Sequence, residues 1–291
     1  MGNISNTAWA IPGSDGQPIY GNTHVGPHGS GKSRGALICC HGFKGYKDYG
    51  FFKPLCLYAC AQGLVAHRFN FSHSGVTHRY DMFERPELFE RDRWGRQVED
   101  LGRVIEHVTE NDRGPIVIFG HSRGGVTSTI YCGNKATQPI AGLVTAAAPD
   151  YACKLDDLQK DQLRTEGRLL SPSGRTGQDL YIGLDWLEEI EQDPQAFDPV
   201  LAAGKAECPM LIIHGSRDQT VPLDCAQRLH RAATPRGRLE IINHASHTFN
   251  CPNPIPNKTP YAGLPYATRR MIELAVEFAV ACCEPSIPKD A

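Results

Sequence analysis

A hydroxyl, a carboxylate and an imidazole can together cleave an acyl bond, and three stretches of this chain offer that set. Ser122 lies in Gly120-His121-Ser122-Arg123-Gly124, which fits G-x-S-x-G. The apolar, β-branched run Ile116–Phe119 precedes it, and Val126, Ile130 and Tyr131 recur after it at helical spacing. The order is therefore strand, tight turn, helix, with a serine at the apex. So sharp a turn strains the serine backbone and lifts its hydroxyl clear of the sheet. The flanking glycines avoid a Cβ collision, and the following helix aims its N-terminal amides at the same place. A serine hydroxyl is a weak nucleophile near neutral pH and needs a base, itself oriented by a third group. Asp218 and His247 are the candidates. Each follows an apolar run that reads as a strand, at the edge of an open sheet where ligands bind.

The elements that must hold these residues can be read along the chain. Trp9–Ile11 and Ile19–Val25 predict two short antiparallel strands around an Asp15-Gly16 turn. Ala36–Cys40 predicts a buried strand, and Phe51, Phe52, Leu55, Tyr58 and Ala59 a helix that stops near Gly63. Val65–Phe71 alternates like a strand. Trp94, Val98, Leu101, Ile105 and Val108 form one apolar helical face. After the Ser122 strand come further strands at Ile140–Ala148, Met210–His214 and Leu239–Ile242. Leu223–Ala233 is helical, and a last helix buries Met271, Leu274, Ala275, Phe278 and Cys282. Strand and helix in alternation imply a mostly parallel central sheet with helices on both faces. The alternation breaks over residues 150–208, where helix-like pieces at Leu155–Leu170 and Leu184–Gln192 flank Gly174 and Gly177. We expect a small helical cap inserted into a single domain spanning 1–291. Tyr181, Ile182 and Trp186 are its candidates for lining a substrate pocket.

One motif points elsewhere. Residues Gly26 to Ser33 match the phosphate-binding pattern G-x-x-x-x-G-K-[ST]. That loop works only when a helix starts at its lysine, whereas here Arg34-Gly35 and the apolar run Ala36–Cys40 follow. The stretch reads as an inter-strand loop, with a nucleotide-binding protein as the remote alternative.

Bulk properties set bounds. The chain has 291 residues, 41% of them hydrophobic and 21% charged, with a net charge of −2. No basic cluster suggests nucleic acid, and no apolar run has the length of a membrane span. No signal peptide is recognisable at the N-terminus. The eleven cysteines include no C-x-x-C, and several lie inside apolar runs. They suit a reducing cytoplasm better than a disulfide framework. No metal site and no cofactor are expected, and the oligomeric state, a homodimer included, is left open.

Four motifs in order, each after a strand, carry a family resemblance: His41-Gly42-Phe43, Gly120–Gly124, His214–Asp218 with Val221-Pro222, and His247-Thr248-Phe249. The chain resembles an α/β-hydrolase, and more narrowly the esterases and peptidase-related enzymes of the dienelactone hydrolase and serine aminopeptidase type. The resemblance covers nearly everything beyond residue 34. It implies Ser122 as nucleophile, Asp218 as the acid, His247 as the base, and the amides of Phe43 and Arg123 as an oxyanion hole. Each such donor is worth roughly 3 kcal/mol of barrier. His244 is the rival base, since relatives often read Asp-His-Thr-Phe where this chain has Ser246 before His247. Asp150 is the rival acid. His41 is expected to order the oxyanion loop, and His121 to be a satisfied buried histidine. The expected activity is carboxylic ester hydrolysis on a small-molecule substrate through an acyl-enzyme. Amide and thioester cleavage are the alternatives on the same triad, and a degenerate, non-catalytic binding protein is a third.

Overall fold

The structure, a computed structural model, describes residues 3–284 except 28, 30–32, 112–113, 137–138 and 257–258. It opens with β1 (Ser5–Pro12) and β2 (Pro18–Val25), an antiparallel hairpin in full register from Ser5↔Val25 to Pro12↔Pro18. The turn places Asp15 and Gly16 at φ 50° and 67°, the left-handed region that short polar residues and glycine tolerate best. Then come β3 (Ala36–Cys40), β4 (Val65–Asn70), β5 (Ile116–His121) and β6 (Gly142–Ala146). β7 (Arg168–Leu170) and β8 (Tyr181–Gly183) form a separate antiparallel ribbon, and β9 (Met210–Gly215) and β10 (Gly237–Ile242) complete the set. Among the described residues the main sheet runs β1-β2-β4-β3-β5-β6-β9-β10 and is parallel from β4 to β10.

The parallel strands are apolar throughout because both of their faces are covered. In β3 the alternation is clean. Leu37 and Cys39 join a core with α1 (Phe52–Ala61) and the last helix, while Ala36, Ile38 and Cys40 join the opposite core. The opposite core is built by α3 (Trp94–Asn111), after a short α2 (Pro86–Glu90), and by α4 (Arg123–Ile130). Farther along it takes in Ala202 and Ala203, and Ala226 and Leu229 of α8 (Leu223–Ala233); α9 (Tyr266–Cys283) closes the first face.

The stretch between β6 and β9 departs from its expected outline. Its first helix, α5 (Asp157–Glu166), starts at an Asp156–Gln159 capping box and stops at Gly167, φ 73°, four residues earlier than the pattern suggested. Strand β7 occupies the remainder of that predicted helix. After α6 (Leu184–Gln192) comes α7 (Pro199–Lys205), capped by the Asp198 carboxylate, which accepts from the amides of Val200 and Leu201. α7 packs against α8 and α4, so it belongs to the body of the fold and not to an excursion from it. Of the phosphate-loop match, His28, Ser30, Gly31 and Lys32 lie outside the described residues. The chain leads on through Arg34 and Gly35 into strand β3, as the apolar run implied. All eleven cysteines are described, and none is in a disulfide. Among the described residues no helix is long and apolar enough to cross a membrane.

Candidate active site

Ser122 sits between β5 and α4 with φ 52° and ψ −122°, a conformation L-residues rarely adopt. The surroundings enforce it. A Cβ on Gly120 would meet the Gly124 carbonyl oxygen at 2.4 Å, and one on Gly124 would meet those of Cys40 and His41 at 2.4 and 2.5 Å. Both motif glycines are therefore required by backbone packing. The Ser122 amide donates to the Ala146 carbonyl at 2.8 Å, which fastens the turn to the neighbouring strand.

The other two candidates meet this serine. His247 Nε2 lies 3.1 Å from Ser122 Oγ, and His247 Nδ1 lies 2.8 Å from Asp218 Oδ2. The Asp218 side chain is wholly buried, yet its Oδ1 accepts the amides of Thr220 and Val221 at 2.8 and 2.9 Å. Burial alone would raise its pKa. The His247 hydrogen bond and the two amides outweigh burial and hold it below the usual carboxylate range.

Three buried histidines surround this set. The Phe71 amide donates to His41 Nε2 at 3.2 Å, so the ring proton sits on Nδ1 and is given to the Gly42 carbonyl at 2.9 Å. That fixes the strand-to-loop passage carrying Phe43. His121 Nε2 donates to the His247 carbonyl at 2.9 Å. His214 Nε2 donates to the Val221 carbonyl at 3.0 Å and lies 3.4 Å from Asp218 Oδ2. Burial pushes His41 down to about 4; burial, with the His247 ring adding to it, pushes His121 down to about 3. Burial lowers His214 too. All three stay neutral and hold fixed tautomers near neutral pH.

The amides of Phe43 and Arg123 have no hydrogen-bond partner among the described residues, and Arg123 is the first residue of α4, where the helix leaves its amides unpaired. The Arg123 side chain turns the other way. Its guanidinium stacks over the Trp94 ring at 4.6 Å and pairs with buried Asp92 at 3.2 Å. The rival residues are engaged elsewhere. Asp150 forms a two-pronged ion pair with Arg228 on α8. The exposed His244, at φ 61°, lends its amide to Ser216 Oγ and its carbonyl to Asn250.

A cleft of about 450 Å³ opens over Ser122 and His247. The insertion reaches it through Ser173, Gly174 and Arg175, and not through the residues the sequence singled out. Trp186 is buried in the core beside Leu187, Ile182 packs on the same core, and Tyr181 carries the Arg168 guanidinium 4.2 Å over its ring. The aromatic side of the insertion thus anchors it to the body, while a polar turn faces the cleft. Gly174 and Gly177 were the sequence signal of that turn. A larger hollow of about 660 Å³, between Cys132 and Pro139 and around Cys208, contains none of these groups.

Sheet order, elbow and motif order together define an α/β-hydrolase. Residues 37–254 match the alpha/beta hydrolase family, and the chain belongs to it. It is 26% identical over 254 residues to the uncharacterised protein YqkD of Bacillus subtilis, covering 85% of this chain and 74% of that one. Among solved structures it is similar to a putative hydrolase from Agrobacterium vitis S4, with TM-score 0.71 and 19% identity over 97% of this chain and 100% of the other. Est1E from Butyrivibrio proteoclasticus with ferulic acid bound superposes with TM-score 0.72 and 16% identity, covering 94% and 98%. A puromycin-hydrolysing peptidase from Mycobacterium tuberculosis gives 0.65 and 19%, over 97% of this chain and 40% of that one. At these identities the structural likeness concerns the fold.

Proposed function

We propose that the protein is a serine hydrolase of carboxylic esters, with Ser122 as nucleophile, His247 as general base and Asp218 as the group that orients and stabilises the imidazole. The observation that carries this is the unbroken contact from Asp218 Oδ2 through both ring nitrogens of His247 to Ser122 Oγ, at 2.8 and 3.1 Å. Because Asp218 accepts at Nδ1, the neutral ring keeps its proton there and presents a lone pair on Nε2 to the hydroxyl. As Ser122 Oγ attacks the ester carbonyl, Nε2 takes its proton, and Asp218 stabilises the imidazolium. The charge that develops on the carbonyl oxygen falls to the free amides of Phe43 and Arg123. The tetrahedral species expels the alcohol, which leaves with the proton from Nε2. Water then attacks the acyl-serine and gives its proton to the same nitrogen; as the bond from the acyl carbon to Ser122 Oγ breaks, Nε2 returns that proton to Oγ and the acid is released.

Esters are favoured over peptides by the cleft itself. An aminopeptidase-like substrate presents an ammonium, and among the described residues no aspartate or glutamate lines the cleft to receive it. The eleven unpaired thiols support a reducing, cytoplasmic setting. The test is labelling by a serine-directed fluorophosphonate together with a panel of p-nitrophenyl esters, an S-acyl thioester and an aminoacyl anilide. Mass mapping of the label to Ser122 with ester turnover is the expected result. Absence of labelling at Ser122, or cleavage of the anilide alone, would reject the proposal.

A further inference from the structure

The charged side chains at the mouth of the cleft are all of one sign. The groups lining it with a permanent charge are Lys44 and Arg175, and neither forms an ion pair among the described residues. They arrive from opposite sides. Lys44 follows the oxyanion residue Phe43 and is held at φ 56°. Its ammonium donates to the Pro172 carbonyl at 2.8 Å, which brings it to the start of the turn that carries Arg175.

Arg175 is equally well placed. One guanidinium nitrogen donates to the Tyr80 carbonyl, and the plane lies over the rings of Tyr46 and Phe83 at 4.8 and 5.0 Å. Its Nη2 is buried and has no hydrogen-bond partner. The turn is braced on both sides. The Ser173 amide donates to the Gln178 carbonyl at 2.9 Å, and the Gln178 side-chain amide exchanges two hydrogen bonds with the Phe83 backbone at 2.7 and 3.0 Å. Asn253, also in the lining, has its Oδ1 committed to Tyr46 Oη and the Gly50 amide, so its remaining polar group is a donor. Burial lowers both cations from their ordinary values; at Arg175 the tyrosines Tyr46 and Tyr49 and the Asp81 carboxylate, itself paired with Arg79, oppose burial without cancelling it. Two partly desolvated cations, fixed before any ligand arrives and left with unused donors, make a receptor for an anion.

We propose that Lys44 and Arg175 form a carboxylate-recognition site, so that the preferred substrates are esters whose acyl or alcohol part carries a second, ionised carboxyl group. The inference rests on Ser122 hydrolysing esters in this cleft. The Arg175 guanidinium, through the nitrogen not engaged by the Tyr80 carbonyl, and the Lys44 ammonium would receive the remote carboxylate while the scissile carbonyl lies at Ser122.

Two matched substrate pairs test it. The acyl side is read with the p-nitrophenyl monoester of adipic acid against p-nitrophenyl methyl adipate, each corrected for spontaneous hydrolysis. The alcohol side is read with 4-acetoxybenzoate against its methyl ester. In at least one pair, kcat/KM for the anionic member should exceed that of its neutral partner by roughly tenfold or more, chiefly through KM. Arg175→Met and Lys44→Met should each collapse that ratio toward one, and Arg175→Lys should keep much of it; circular dichroism establishes that each variant is folded. Preference for the neutral ester in both pairs, or a ratio that neither methionine variant moves, overturns the inference while leaving the ester hydrolase standing. Failure to cleave any ester, with no phosphonate label on Ser122, removes the reading of the site and this inference with it.

Discussion

His121 gives its Nε2 proton to the backbone carbonyl of His247 at 2.9 Å, with the two rings 5.0 Å apart. The residue before Ser122, the proposed nucleophile, thus holds the loop that carries His247, the proposed base. The ring is wedged against Phe51 and Phe52, and burial keeps it neutral, so the donor is always present. This is a direct brace across 126 residues of chain between two loops that must agree to within a fraction of an ångström.

Removing that brace should damage turnover more than binding. His121→Ala is expected to lower kcat on a neutral p-nitrophenyl ester by about 10- to 100-fold with KM changed little. His121→Gln, which can still donate an N–H, should recover part of the loss. Steady-state kinetics on folded variants decide it, and kcat within twofold of wild type in the alanine variant would refute the positioning role.

The proposed triad predicts a steep hierarchy. Ser122→Ala should cut kcat by about 10⁴-fold or more, and Asp218→Asn by roughly 10³- to 10⁴-fold because the imidazole loses the acceptor that sets its tautomer. His244→Ala and Asp150→Asn should stay within about threefold, since one side chain faces solvent and the other pairs with Arg228. Asp218→Asn has a second consequence to look for, because His214 also faces that carboxylate. Its melting temperature should fall as well. Full activity in Asp218→Asn with loss in Asp150→Asn would exchange their roles.

Much of the site was written locally in the chain. Gly120 and Gly124 are forced by contacts within the elbow and with β3, so a five-residue pattern reports them. The unbroken apolar runs of β3 and β5 report strands covered on both faces, although which core each side chain joins is seen only in the fold. The lining of the cleft was not legible in the same way. Tyr181, Ile182 and Trp186 are apolar and close to the insertion's second helix, and composition alone does not say whether such residues face a ligand or the body. The Ser173–Arg175 turn has no periodicity and no apolar content. It reaches the site only because Gln178 is clamped to Phe83, a contact 95 residues apart in sequence. The short strands β7 and β8 were hidden for the same reason, since each has meaning only as the other's partner.

That division of labour in the insertion is measurable. Trp186→Ala removes a nearly fully buried indole from the core and should cost about 3 kcal/mol or more of stability. Substrate preference among the p-nitrophenyl esters should be preserved in it at a temperature where it is folded. Denaturant unfolding and the ester panel give the two readings. A changed chain-length preference without a stability loss would return Trp186 to the pocket.

Mild acid should destabilise the fold through its buried histidines. His41 and His121 have folded pKa values of about 4 and about 3, against an ordinary 6.5, because burial penalises their charged forms. The unfolded chain takes up protons there as the pH falls below 6.5, and the folded chain does not. Stability contributed by these groups is therefore complete above 6.5 and is lost progressively as the pH drops toward 4. His24 and His73, also lowered to about 4 by burial first of all, act in the same direction. Asp100 opposes them, since burial raises it to about 6 and the folded state gains a proton between about 6 and 4 that the unfolded state lacks. Burial lowers His214 and raises Asp92 as well, so five histidines act against two aspartates and the net slope is a fall. Between pH 7.5 and 5 each of His24, His41, His73 and His121 should contribute a loss on the order of 2 kcal/mol. Guanidinium unfolding at the two pH values checks this. His121→Gln, which cannot titrate, should lose about that much less than wild type over the same interval, and an unchanged pH slope in that variant would contradict a buried neutral His121.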